Sequence, residues 1–427
     1  MSHLTRRQFH TAALGASAAA LAVAGRASAA SSKTLRAAWI GTGSRGGGDI
    51  RDFLQGCENV ELAALADVLP ERVQGARQHA RNVKNAKGKV TAKESDCYLG
   101  FDAYKKVMER DDIDLVILTT PPGFRPQQVE AAVDAGKHIY FEKPAAVDAP
   151  GVRRIIAAGE KAKQKGLSII VGTQQRRMPH YVELIKRVRG GQIGDIVAAQ
   201  AYWHWGSQDW HFSQRDPKWS DVEWQIRCWP YFTWLSGDHV VEQHCHNLDV
   251  INWAIGTHPE TCISRGGRQA RTGEHYGNIY DHFSGELTYP GGVRLASFSS
   301  QIAGTTGMVG ERLVGTKGQT WSDRGRCTIK GEKDWTYEGP RHDGGQKQFQ
   351  DLTRAIRTAN PVNEARQIAE STLVAIMIRM GAYTGRALSW KWAMQGSKED
   401  LFPTQPLDIR GDLPVRPVRI PGKTKLT

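Results

Sequence analysis

Two stretches far apart in the chain carry residues whose types could handle the proton of a hydroxyl group. The first is Glu142-Lys143-Pro144, directly after the apolar run His138 to Phe141. A lysine at the carboxyl end of such a strand can hydrogen-bond a substrate hydroxyl and, through its charge, make that proton easier to lose. The second runs from Ser236 to Trp253 and contains His239, Glu242, His246 and Asp249. If 238–254 is one helix, these four fall at steps of three and four and share a face, leaving Val240, Val241, Leu248 and Ile251 to pack elsewhere. Burying four polar groups on an otherwise apolar helix is costly without a task, which makes the face a candidate site, with satisfied core histidines as the plainer alternative. His and Glu at this spacing would also admit a metal ion, but Lys143 accounts for the same groups and no metal is expected. Arg176, together with His239 and Asp249, is a candidate for substrate contact.

Losing that proton oxidises nothing by itself, and oxidation of the carbon that bears the hydroxyl would need an electron acceptor; the N-terminal part of the chain has the pattern of a dinucleotide site. The run Leu35-Arg36-Ala37-Ala38-Trp39-Ile40 leads into Gly41-Thr42-Gly43-Ser44-Arg45-Gly46, and Glu61 to Ala66 ends on Asp67. Gly41 and Gly43 allow a tight turn close to a pyrophosphate, and a small third residue lets the next helix pack near the strand. Ser44 and Arg45 would open that helix, whose free N–H groups face the phosphates. Asp67 is placed to hold the adenosine ribose hydroxyls and to repel a 2′-phosphate, so NAD is expected rather than NADP.

These residues must be positioned by two kinds of scaffold. From 36 to about 145, apolar runs such as Leu115 to Leu118 alternate with amphipathic helical runs such as Gln127 to Ala135, which argues for a doubly wound parallel sheet. A helix over 151–165 and the run Ser168 to Val171 complete it. Beyond Gln174 come a helix from His180 to Arg189 and long alternating runs, Ile196 to Trp203, Ser284 to Tyr289 and Val293 to Ser299, the last two joined by a Pro290-Gly291-Gly292 turn. The fold expected is α/β: a dinucleotide-binding Rossmann domain over 35–173 and an α+β domain with a large, mostly antiparallel open sheet over 174–395. A long packed helix is expected over 364–384, and a Pro- and Arg-rich tail over 396–427, lying on a neighbour or disordered.

The N-terminus is different in character. Arg6-Arg7 precedes an Ala-rich stretch and Ala27-Ser28-Ala29, the pattern of a twin-arginine export signal over 1–30, so the export machinery is an expected partner and the periplasm the expected location. Its removal lowers the net charge from +13 to +10. The remaining basic residues are spread without a dense patch, which argues against nucleic acid, and no later segment is apolar enough to span a membrane. The six cysteines show neither a metal spacing nor a disulfide framework and read as buried apolar residues. Seven of the thirteen tryptophans fall at 203, 205, 210, 219, 224, 229 and 234. They could wall a carbohydrate pocket or pack as an insertion or subunit contact.

From Leu35 to Trp390 the motifs together resemble the Gfo/Idh/MocA oxidoreductases: Gly41-Thr42-Gly43, Thr120-Pro121, Ala135-Gly136-Lys137-His138, Glu142-Lys143-Pro144 and the Gly237 to Trp253 segment. The resemblance implies hydride transfer at a sugar or polyol carbon and a homo-oligomer, dimer or tetramer, built through the open sheet. It implies that Thr120, Pro121, Glu142 and Lys143 face the cofactor, that Lys143 is the family lysine, and that His246 is the histidine that takes the hydroxyl proton. Glu242 stands where the family usually has Asp and would orient the imidazole or a sugar hydroxyl, Asp249 matches an acidic position, and Arg125 replaces a frequent histidine. Some relatives oxidise transiently and cleave a glycosidic bond without net redox change. That alternative, and a non-catalytic sugar binder, stay open.

Overall fold

The computed structural model describes residues 33–206, 211 and 214–427; the expected leader over 1–30 and Trp210 lie outside the described residues. Apolar runs buried on both faces form most strands of the first half, as a sheet covered by helices on each side requires, while the short edge strand over 97–99 is half-buried to exposed. They are β1 (Leu35–Ile40), β2 (Val60–Asp67), β3 (Cys97–Leu99), β4 (Leu115–Leu118), β5 (His138–Phe141) and β6 (Ile169–Val171). Helices α1 (Ser44–Gly56), α2 (Pro70–Asn82), α3 (Ala103–Met108), α4 (Arg125–Asp134) and α5 (Ala149–Gln164) connect them. All pairs are parallel and the order is β3-β2-β1-β4-β5-β6, so the chain reverses its winding between β1 and β4. That switch point opens a crevice at the carboxyl ends of the strands.

The second half follows α6 (Pro179–Arg189) with β7 (Ile196–Trp205), the short helices α7 (Asp221–Arg227), α8 (Thr233–Ser236) and α9 (His239–Glu242), and α10 (Cys245–Ile255). Strands β8 (Thr261–Gly267), β9 (His282–Thr288), β10 (Arg294–Gln301), β11 (Met308–Gly315), β12 (Gly318–Ser322), β13 (Cys327–Gly331), β14 (Trp335–Thr336) and β15 (Leu388–Ser389) complete a nine-stranded sheet. Its order is β14-β13-β12-β11-β7-β10-β9-β8-β15, and β7 with β10 is its parallel pair. Pro290-Gly291-Gly292 joins β9 to β10 with both glycines at positive φ, 76° and 82°, where a side chain would be strained. The helix α12 (Ala365–Thr384) is almost wholly buried and stops at Gly385, whose φ is 73°.

Two expectations need correction, the tail and the single helix over 238–254, and one helix crosses between the halves of the chain: α11 (Gly345–Arg357) returns to the first sheet, where Phe349 packs against Trp39, Phe53 and Tyr140 with ring centroids 4.6 to 6.0 Å apart. Phe349→Ala is expected to cost about 3–5 kcal/mol, read as a lower urea midpoint, because the cavity would open at the centre of a four-ring cluster. The tail lies on its own chain, with Phe402 against Phe124 and Trp234 and the Tyr280 hydroxyl donating to the Arg419 carbonyl. The segment 238–254 is not one helix. It breaks between α9 and α10, where Lys143 Nζ donates to the Glu242 carbonyl at 2.5 Å and the His246 N–H turns to the Gln243 carbonyl, at 3.2 Å.

Candidate active site

The glycine turn is built by close approach. A Cβ on Gly41, whose φ is 90°, would sit 2.5 Å from the Thr120 backbone nitrogen, and one on Gly46 would sit 2.4 Å from the Gly41 carbonyl. Gly43 by contrast opens onto space, with the Arg72 guanidinium 3.5 Å from a Cβ placed there. No side chain caps α1 and no acid stands in its first turn, so its leading N–H groups are left for an anion. Asp67 sits beside the turn, its carboxylate accepting from the Thr42 N–H at 2.6 Å, the Thr42 hydroxyl at 3.1 Å and the Leu69 N–H at 3.1 Å. These features fit a pyrophosphate at the helix start and a ribose at Asp67. Asp67, which repels a 2′-phosphate, and Arg72, which attracts one, line the same cavity, so the geometry defines a nicotinamide dinucleotide site without fixing its phosphorylation.

That cavity, of about 430 Å³, joins the glycine turn to the second motif group: Gly41, Gly43, Ser44, Arg45, Thr120, Pro121, Glu142, Lys143, Glu242 and His246 all line it. Ser44 Oγ lies 3.3 Å from His211 Nε2. Lys143 Nζ donates to Glu242 Oε1 at 2.7 Å as well as to the Glu242 carbonyl, so the Glu242 carboxylate holds the lysine and makes no bond to the imidazole. His246 is 7% exposed and stacks on Trp203 at 6.0 Å, and Trp203 stacks on Trp205 at 6.3 Å. Burial, with the charges of Lys143, Arg324 and Arg45 added, holds its pKa well below the ordinary histidine value. The imidazole is therefore neutral and able to accept a proton.

Several residues named from the sequence are placed otherwise. The Arg45 guanidinium turns inward to Glu142, 2.7 Å away, and to Asp49, 2.8 Å away, leaving its backbone rather than its charge for the phosphates. Glu142 also accepts from the Tyr140 hydroxyl at 2.8 Å and the Lys143 N–H at 3.1 Å, so it braces the loop that carries the lysine. Burial alone would raise the Glu142 pKa, but Arg45 and Lys143 hold it below the usual carboxylate range. Asp49, wholly buried, is pushed well up despite Arg45, and the Glu142 charge adds to that rise.

His239 lies off the cavity wall, 5.1 Å from the Phe283 ring, with neither ring nitrogen partnered. Asp249 and Arg176 are likewise off the wall and bind each other through two bonds of 2.8 and 2.9 Å, with Ser371 on the same carboxylate. Of the four residues of the expected common face, Glu242 and His246, on either side of the helix break, reach the cavity. Arg125 is buried and ties the two loops together, donating to the Thr120 carbonyl at 2.5 Å and to the Pro144 carbonyl. Burial pushes its pKa down to about 10. Sequence reasoning missed Gln243, Arg324 and Asp343, which also line the cavity. Among the described residues no group of His, Cys, Asp and Glu could hold a metal ion, and no helix is long and apolar enough to cross a membrane.

A doubly wound domain with an open glycine cradle and a lysine, facing an open-sheet domain that supplies the lysine's carboxylate partner and a histidine to one cavity, defines a two-domain nicotinamide dinucleotide-binding protein. The chain belongs to the Gfo/Idh/MocA oxidoreductase family: residues 35–173 match its NAD-binding Rossmann fold and residues 185–371 its C-terminal alpha/beta domain. It is 28% identical over 179 residues to an uncharacterized oxidoreductase of Streptococcus pneumoniae, spanning 41% of this chain and 43% of that protein. It is 34% identical over 131 residues to a glycosyl hydrolase family 109 protein of Bacteroides fragilis, 30% of this chain and 26% of that one. The match thus covers less than half the length of these curated relatives. Its fold is shared with the aldose-aldose oxidoreductase from Caulobacter crescentus, crystallised with glycerol, at a TM-score of 0.65 and 21% identity, over 84% of this chain and all of that one.

Proposed function

We propose that the chain is an enzyme that oxidises a secondary hydroxyl of a sugar or polyol with a tightly held nicotinamide nucleotide, NAD in preference to NADP. The observation that carries this reading is the Lys143–Glu242 pair, which shares one cavity with His246 and the glycine turn. When bound along Gly41, Gly43 and Asp67, the nicotinamide would supply the acceptor for the hydride of the carbinol carbon. His246 takes the hydroxyl proton on a ring nitrogen, and Lys143 Nζ, aimed by the Glu242 carboxylate, stabilises the developing alkoxide. The stacked Trp203 and Trp205 cover the imidazole and offer an apolar face to a sugar ring.

Export through the twin-arginine pathway over residues 1–30 belongs to the same reading and makes a resident cofactor necessary, since free NAD is not available outside the inner membrane. One substrate would be oxidised and a second carbonyl reduced in place. Assembly into a homo-oligomer through the open sheet is supported by Tyr202, which contacts Phe298 and Trp321 on the face away from buried Ala199 and Ala201. A second reading, redox-neutral glycoside cleavage through transient oxidation, is favoured by the likeness to the Bacteroides fragilis glycosyl hydrolase family 109 protein. Both would use Lys143 and His246.

The test is mass spectrometry of the supernatant after acid denaturation of the purified mature protein, followed by a sugar panel. Stoichiometric NAD, with reduced nicotinamide absorbance rising on addition of a sugar, is expected. Products formed from glycosides without that absorbance would favour cleavage. A protein that neither carries nor takes up NAD or NADP would overturn both and leave a sugar binder.

A further inference from the structure

A chain of buried side chains runs from the second domain into the cavity and ends on Gln243. It starts at Arg271, 4% exposed, whose guanidinium lies 5.7 and 5.5 Å over the rings of Tyr231 and Tyr276. Its backbone is held by Asp281, which accepts the N–H groups of Gln269, Ala270 and Arg271 at 2.6 to 2.9 Å. Arg271 Nη1 donates to Gln301 Oε1, and Gln301 Nε2 donates to Gln243 Oε1. The direction of this relay is dictated by its first member. A guanidinium has donors only, so the Gln301 oxygen must face it; the Gln301 nitrogen then faces Gln243, whose oxygen must turn toward it. What Gln243 has left is its NH₂, which has no partner among the described residues, on a side chain that lines the cavity beside Glu242 and His246. A free amide could offer either its oxygen or its nitrogen to a ligand. Arg271 removes that choice.

We propose that Gln243 selects the substrate by presenting a fixed hydrogen-bond donor, and that the preferred sugar meets it with an acceptor-only oxygen, the carboxylate of a sugar acid or the carbonyl of an N-acyl sugar. This rests on the functional reading above and narrows its substrate. Arg324, on the same cavity wall and without an ion pair among the described residues, adds a second donor and a positive field. A carboxylate or carbonyl satisfies both groups. A hydroxyl accepts at one cost, the misdirection of its own proton, and an ammonium brings donor against donor.

The experiment is calorimetric titration of the nucleotide-loaded protein with glucuronate, N-acetylglucosamine, glucose and glucosamine, and with the corresponding galacto sugars. The acid or the N-acyl sugar is expected to bind about 10- to 100-fold more tightly than the amine, the range that an unmatched polar group imposes, and which of the two leads identifies the source of the oxygen. Gln243→Glu keeps an acceptor for Gln301 but shows the cavity an oxygen. Gln301→Glu keeps the acceptor for Arg271 and forces the Gln243 amide to turn over, although no residue on the cavity wall has changed. Both variants should reverse the order, the amine gaining and the acid losing at least about tenfold. A folded Gln301→Glu protein with the original order would overturn the relay, and should that variant not fold, an unchanged order in Gln243→Glu would do so. Equal affinities, or no binding of any of these sugars by a loaded protein that turns over neutral polyols, would overturn the substrate assignment alone. Failure to take up any nicotinamide nucleotide would bring down the functional reading and this inference with it.

Discussion

Lys143→Met is expected to lower kcat by about a thousandfold, since it removes both the cation that stabilises the alkoxide and the donor that orients the hydroxyl. The change also strips Glu242, whose side chain is 8% exposed, of the ammonium 2.7 Å away. An uncompensated buried carboxylate costs about 3–5 kcal/mol, so the single variant should melt earlier as well. Pairing it with Glu242→Gln separates the two effects: stability should return while kcat stays low. Recovery of activity in the double variant would mean that the lysine serves only to neutralise the glutamate. The pH profile gives a second reading. Because burial and then Lys143 hold the His246 pKa below its ordinary value, the basic form persists as pH falls, and the acid limb of kcat/KM in the parent should lie well below the ordinary histidine pKa of about 6.5. Loss of the neighbouring cation lets the imidazole hold its proton more readily, so in Lys143→Met the limb should move up, though not fully, since burial is the larger cause. A limb that stays in place would separate His246 from Lys143.

The glycine turn, Asp67 and Lys143 can be read along the chain because each depends on its place in a βαβ unit, where strand, turn and helix follow one another in order. The Thr42 N–H reaches Asp67 across 25 residues, and the intervening α1 makes that return predictable. The site residues of the second domain depend on contacts that no local pattern encodes. Lys143 reaches Glu242 across 99 residues, at the break in a helix that periodicity alone would continue to Trp253. Gln243 carries no signal of its own, because its orientation is set by Gln301, 58 residues on, and by Arg271 beyond that. His239, at the spacing of a site residue, instead meets Phe283, and Asp249 meets Arg176 rather than the cavity. Helical spacing identifies which residues share a face of an unbroken helix. It does not report where that helix breaks.

Gly41→Ala and Gly43→Ala should fail in different ways, and the difference tests where the nucleotide lies. At Gly41 a methyl would stand 2.5 Å from the Thr120 nitrogen and 2.7 Å from the Thr119 carbonyl carbon, with φ at 90°. Neither side can yield, because Thr119 is tied to β1 through a 2.8 Å bond from its N–H to the Ile40 carbonyl. Left-handed backbone costs about 1–2 kcal/mol for a residue with a Cβ, and the overlap about 1–3 more, so the apo protein itself should lose stability and nucleotide together. Gly43 has φ −69°, an ordinary value, and a methyl there meets only the end of the Arg72 side chain at 3.5 Å. Gly43→Ala should therefore melt within about 1 kcal/mol of the parent, as substitutions without a named structural cost do, yet bind NAD about 100-fold more weakly, because the methyl takes the space the pyrophosphate needs. Thermal melts without nucleotide and equilibrium binding of NAD measure the two terms separately. Unchanged affinity in Gly43→Ala would place the phosphates elsewhere in the cavity and remove Lys143 and His246 from the neighbourhood of the hydride acceptor.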